Sequence, residues 1–121
     1  MTGQSSTSVG REGEDRAASY LEQKGYRIID RNFRIRGGEI DIIALDGETL
    51  VFVEVKHLPH GDVDTLSVLL GSQKLQNIIK TAKCYLQKYR QYSNGYIRFD
   101  VLALDVPGLE PVHHIVNAFS E

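Results

Sequence analysis

Residues 38–56 read Gly38-Glu39-Ile40-Asp41-Ile42-Ile43-Ala44-Leu45-Asp46-Gly47-Glu48-Thr49-Leu50-Val51-Phe52-Val53-Glu54-Val55-Lys56. Two apolar arms, Glu39 to Leu45 and Thr49 to Lys56, meet through Asp46-Gly47-Glu48, which is the pattern of a β-hairpin. Side chains alternate along a strand, so Asp41, Ile43 and Leu45 are expected on one face, and Phe52, Glu54 and Lys56 on one face of the next strand. The loop length decides whether the acids meet. An even loop pairs odd positions of the first arm with even positions of the second. With Gly47-Glu48 as the loop, Asp41 and Glu54 stand opposite each other, Cβ atoms roughly 5 Å apart. With Asp46-Gly47 they are diagonal neighbours, and a three-residue loop separates them.

Two carboxylates facing each other among isoleucines and valines repel, and something must offset the repulsion. A divalent cation does so directly. Mg2+ takes oxygen ligands and commonly binds one or two carboxylates, leaving positions for water and phosphate oxygens. The expected metal ligands are Asp41, Glu54 and the carbonyl of Val55, with Mn2+ able to substitute for Mg2+. Lys56 points the same way as Glu54, suited to orient or deprotonate a water or to steady a charged transition state. The plainer alternative is a structural acid paired with Lys56 at a strand end. Glu14 precedes Ala17, Ala18 and Leu21 by three, four and seven positions, which places it on their apolar helix face, toward the sheet. Its plainer alternative is a residue that complements the helix macrodipole.

Outward from the hairpin, a helix is expected from Arg11 to a stop at Gly25, then a strand from Tyr26 to Ile35. After Lys56 the stretch Leu58 to Leu70, with Pro59 and Gly61, reads as a loop. Leu75, Ile78, Ile79, Ala82, Leu86 and Tyr89 form the stripe of a long helix that Ser93-Asn94-Gly95 ends. Strands over Tyr96 to Asp105 and Val112 to Phe119 close the chain. This order predicts an α/β sandwich with a mixed sheet, in which the strands joined across the long helix run parallel. Residues 1–10 read as a disordered polar tail and residues 11–121 as one domain.

A chain of 121 residues, 41% hydrophobic, suffices for one core without staples. A lone Cys84, read as a packed thiol, suggests a reducing cytoplasm, and neither a signal peptide nor a long apolar run is present in the sequence. A net charge of -2 excludes coating nucleic acid by bulk electrostatics. Local clusters would have to supply a cationic surface. Arg27, Arg31, Arg34 and Arg36 form one; Lys74, Lys80, Lys83, Lys88 and Arg90 form another. Either also reads as an ordinary solvated face.

Gly38-Glu39-Ile40-Asp41 followed by Val51-Phe52-Val53-Glu54-Val55-Lys56 resembles the YraN family of small bacterial proteins, within the PD-(D/E)XK nuclease superfamily. The likeness takes in Gly13-Glu14, Asn32, Arg34, Lys74 and Arg98-Phe99-Asp100. It implies a restriction-endonuclease-like α/β/α sandwich with a mixed five-stranded sheet, akin to Holliday junction resolvases. It also implies catalytic roles for Glu14, Asp41, Glu54 and Lys56. On this resemblance the expected function is a Mg2+-dependent endonuclease on nucleic acid, with DNA favoured. Arg34, Arg36, Lys74 and Lys83 would grip the backbone, and a homodimer would serve two-stranded substrates. Two positions depart from the superfamily pattern. Ile40 replaces the proline before Asp41, and His57-Leu58-Pro59-His60 stands where an arginine is usual; His57 and His60 are alternative metal or phosphate contacts. The competing readings are a catalytically silent nucleic-acid binding module and a protein-interaction domain that keeps the fold.

Overall fold

The computed structural model describes residues 10–65 and 72–119, the side chains of residues 72–75 excepted. Residues 1–9 of the expected tail, and most of the second half of the expected loop, therefore lie outside it. The elements run α1 (Gly10–Gln23), β1 (Arg27–Ile35), β2 (Gly38–Asp46), β3 (Thr49–His57), α2 (Ser72–Lys88), β4 (Ile97–Leu104) and β5 (Val112–Phe119). A 3-10 turn at Arg90–Tyr92 follows α2, so the helix ends five residues before Ser93.

The strands lie in sequence order, β1 to β5, in one sheet. All neighbouring pairs are antiparallel except β3 and β4, which run parallel with Leu50 beside Ile97 and His57 beside Leu104. This is the expected geometry, because a strand pair joined through a helix brings the chain back to the same end of the sheet. Residues 58–65 and α2 lie within that crossover.

Each sheet face buries one helix. Ala17, Ala18 and Leu21 of α1 pack with Ile42, Ala44, Val51, Val53, Val55, Leu102 and Leu104. On the opposite face, Ile78, Ala82 and Tyr85 of α2 pack with Ile40, Ile43, Leu50, Phe52 and Phe99. The result is the restriction-endonuclease-like α/β/α sandwich with a mixed five-stranded sheet. Gly38 sets how closely α2 approaches: a Cβ there would lie 2.0 Å from the Thr81 hydroxyl and 3.2 Å from the Asn77 carbonyl oxygen.

Alternation fails at one place in β2. Ile42 belongs to the α1 core, whereas Ile40 joins Ile43 in the α2 core. Regular alternation would put Ile40 with Ile42. The face therefore switches at Asp41, so its side chain is not simply aligned with Ile43 and Leu45. The position opposite Asp41 in β1, between the pairs Arg31–Ile42 and Phe33–Ile40, is Asn32, which has a φ of 57°. A non-glycine residue at positive φ is uncommon, and asparagine is among the few that tolerate it.

Candidate acidic site

The hairpin closes with Asp46 paired to Thr49, which makes Gly47-Glu48 the two-residue loop. The paired ladder runs as far as Ile42 and Val53. One step further, at Asp41 and Glu54, the Val55 N–H donates to Asp41 Oδ2 at 2.8 Å, so a side chain takes a donor that the ladder would otherwise use. A buried N–H needs such a partner. Lys56 Nζ lies 2.8 Å from Glu54 Oε2, with both side chains largely covered.

The acid pair is short of positive charge. Burial first, and then the nearby charge of Glu54, pushes the Asp41 carboxyl from its ordinary 3.8 up to about 7; the Val55 N–H pulls the other way, and Glu39 and Glu14 add to the rise. Glu14 therefore lies within the field of the pair. Its side chain is 13% exposed and turned to the sheet, as its helical position predicts. Its Oε1 accepts from Asn32 Nδ2 at 3.0 Å and lies 3.5 Å from the Arg31 guanidinium, which also holds Asp15 at 2.8 Å.

These groups fit a hard divalent cation in donor type. Two carboxylates and a main-chain carbonyl are all oxygen donors, and a magnesium site often takes no more than one or two carboxylates from its protein. The acids also lack compensation, since Lys56 is the cation beside them and Asp41 is still pushed toward its neutral form. Among the described residues, no three His, Cys, Asp or Glu side chains converge into a preassembled metal cluster. The chain's share is thus Asp41, Glu54 and the Val55 carbonyl, with Glu14 in an outer position.

The cationic candidates are more scattered. Arg34 is 70% exposed and pairs with Glu39 at 2.9 Å. Arg36 and Lys83 are exposed, and the Lys74 side chain lies outside the described residues. His57 does not join the acids. Its Nε2 lies 2.8 Å from Asp105, whose carboxylate is gripped by both terminal nitrogens of Arg16, at 2.8 and 3.0 Å. The Arg16 hydrogen bonds hold Asp105 down at about 2. This cluster ties α1 to the end of β4 beside a cavity of about 390 Å3 lined by the first turn of α1 and His57. His60 is exposed.

A second polar cluster escaped reading from the residues one at a time. Asp100 is fully buried on the α1 face and accepts from Arg98, from the Asn117 N–H at 2.9 Å, and from His114 Nε2 at 2.7 Å. Burial raises its carboxyl, but the bonds from His114, Arg98 and Asn117 outweigh this and hold it below the usual range. Arg98 extends the cluster to Asp46 and the Tyr26 hydroxyl. An Asp two residues after an Arg on an apolar strand is the one signal of it in the sequence.

The acidic pair sits toward the carboxyl end of β3, the end at which open α/β sheets generally bind ligands. Fold and site together define an α/β/α sandwich of restriction-endonuclease-like form with an acid pair and a lysine on its central hairpin. The chain belongs to the Uncharacterised protein family UPF0102, whose family model matches residues 13–104. This is the YraN-like family that the residue pattern indicated. It is 46% identical to a UPF0102 protein of Geobacter metallireducens over 113 residues, 93% of this chain and 92% of that protein. It is 43% identical to one of Treponema denticola, over 94% of this chain and 96% of that protein. One of Persephonella marina is 44% identical over 91% of each. Among the described residues no helix is long and apolar enough to cross a membrane.

Proposed function

We propose that this chain is a Mg2+-dependent endonuclease that hydrolyses nucleic-acid phosphodiester bonds, with DNA as the favoured substrate and a structured junction as its preferred form. The observation that carries this reading is the pairing of Asp41 and Glu54 in an apolar setting, with Lys56 on Glu54 and too little positive charge to balance both acids. A bound divalent cation supplies charge neutralisation and a more acidic water, which are the needs of phosphodiester hydrolysis. Asp41, Glu54 and the Val55 carbonyl would hold it. Lys56 contributes an ammonium group beside the scissile phosphate, where it favours the extra negative charge of the transition state. Arg34, Arg36, Lys74 and Lys83 would contact the backbone, so binding should weaken steeply with salt.

A second reading, a binding module with negligible turnover, is favoured by the net charge of -2 and by Leu58, which leaves the segment after Lys56 without an arginine. One experiment separates them. Labelled duplex, single-stranded and four-way-junction DNA are incubated with the protein and Mg2+, Mn2+ or chelator, alongside Asp41→Ala and Glu54→Ala. Metal-dependent cutting that both variants lose supports the nuclease. Salt-sensitive binding with no cutting by the unaltered protein supports the binding module.

A further inference from the structure

The αL residue opposite Asp41 carries a consequence for the site. In a regular strand, consecutive side chains point to opposite faces, so Arg31 and Asn32 could not both reach one helix. Here they do. Arg31 bonds Asp15 of α1, and Asn32 bonds Glu14 of the same helix at 3.0 Å. The φ of 57° at Asn32 is what permits it, because rotating that residue into the left-handed region swings its carboxamide to the α1 side. Phe33, the next residue, packs in the α2 core. Across the ladder the face of β2 switches at Asp41, the position facing Asn32. One unusual backbone residue thus coincides with the irregularity of both strands, and its side chain ends on a carboxylate near the acid pair. Backbone strain of this kind is maintained where surrounding contacts over-determine it, often at functional sites.

We propose that Asn32 is a positioning residue: its left-handed backbone and its carboxamide together fix the Glu14 carboxylate, as an outer-shell group, toward the divalent cation held by Asp41 and Glu54. The inference rests on the cation site proposed above and adds the element that orders Glu14. The carboxamide is suited to the task. It donates to Glu14 without adding charge, so it fixes the carboxylate while leaving its negative charge for the cation. Arg31, farther away at 3.5 Å, serves chiefly Asp15. Outer-shell partners of metal ligands typically change affinity by about 10-fold to 100-fold when removed.

Two substitutions separate backbone from side chain. Asn32→Gly keeps the freedom to adopt positive φ and removes the carboxamide; Asn32→Ala removes the carboxamide and disfavours the backbone as well. Mn2+ binding is measured by titration calorimetry on the full chain, for the unaltered protein, Asn32→Gly, Glu14→Gln and the double variant, with melting curves as a fold control. The expected result is Mn2+ affinity lower by about 10-fold in Asn32→Gly. In the Glu14→Gln background, Asn32→Gly should then cause no further loss. Asn32→Ala should bind no better than Asn32→Gly and melt at a lower temperature. Unchanged Mn2+ affinity in Asn32→Gly, or an equal loss with and without Glu14, overturns the positioning role while leaving the cation site standing. An unaltered protein that binds no Mn2+ overturns the cation site itself, and the positioning role with it.

Discussion

Replacing Asp41 by asparagine tests whether the acid pair is electrostatically frustrated. The carboxyl rises from 3.8 to about 7 on folding, chiefly through burial and then through Glu54. At about 1.4 kcal/mol per factor of ten, ionised Asp41 costs the folded state roughly 4 kcal/mol. The sign follows from the direction. A carboxyl whose folded value is raised imposes no cost below the unfolded value near 3.8, an increasing cost as pH climbs, and its full cost above about 7. Asparagine imposes none of it, and its side-chain oxygen still accepts from the Val55 N–H. Without divalent cations, Asp41→Asn should therefore match the unaltered protein near pH 4 and exceed it at pH 8. Realising even half the figure raises the melting temperature by roughly 8 °C for a chain of this size. Adding Mg2+ should stabilise the unaltered protein at pH 8 and narrow the gap. Urea and thermal melts from pH 4 to 8 measure all of this. A variant no more stable at pH 8, or a gap of equal size at pH 4 and pH 8, refutes the reasoning.

Two further outcomes concern the scaffold. Gly38→Ala should destabilise by about 1–3 kcal/mol through overpacking against Thr81, and adding Thr81→Ala should recover part of that loss in thermal melts, since the clash is with the hydroxyl. Asp100→Asn should cost about 3 kcal/mol at pH 7 in urea titrations by breaking a buried, fully bonded ion pair. Because Asp100 is held below the ordinary carboxylate range, its contribution is present above about pH 4 and lost as pH falls through its folded value, so the deficit of the variant should shrink in acid.

Much of the architecture was legible because it depends on periodicity. The helix of residues 72–88, the hairpin and the parallel return of β4 follow from apolar spacing and from the connection through a helix. The two-residue Gly47-Glu48 loop was one of several even loops the residues allowed, and sequence alone did not choose among them. Glu14 was correctly expected to face the sheet, since its spacing from Ala17, Ala18 and Leu21 is a local property. What stayed hidden was non-local. The face switch at Asp41 depends on the backbone of Asn32, nine residues earlier, and no period reports a positive φ. The bonds of Asp105 to Arg16 and His57, and of His114 to Asp100, join elements that only the folded sheet brings together.

The tight Gly47-Glu48 connection also bears on the order of assembly. A hairpin of this kind forms in about 1–10 μs because its contacts are local, whereas the β3–β4 pairing must close a chain stretch from residue 57 to residue 97. Asp41 and Glu54 can therefore become neighbours while both are still hydrated, when their mutual repulsion is weak. The desolvation that makes the pair costly arrives later, as α1 and β4 cover the hairpin. The folding route thus postpones the expense of the acid pair until most of the native contacts that outweigh it are in place.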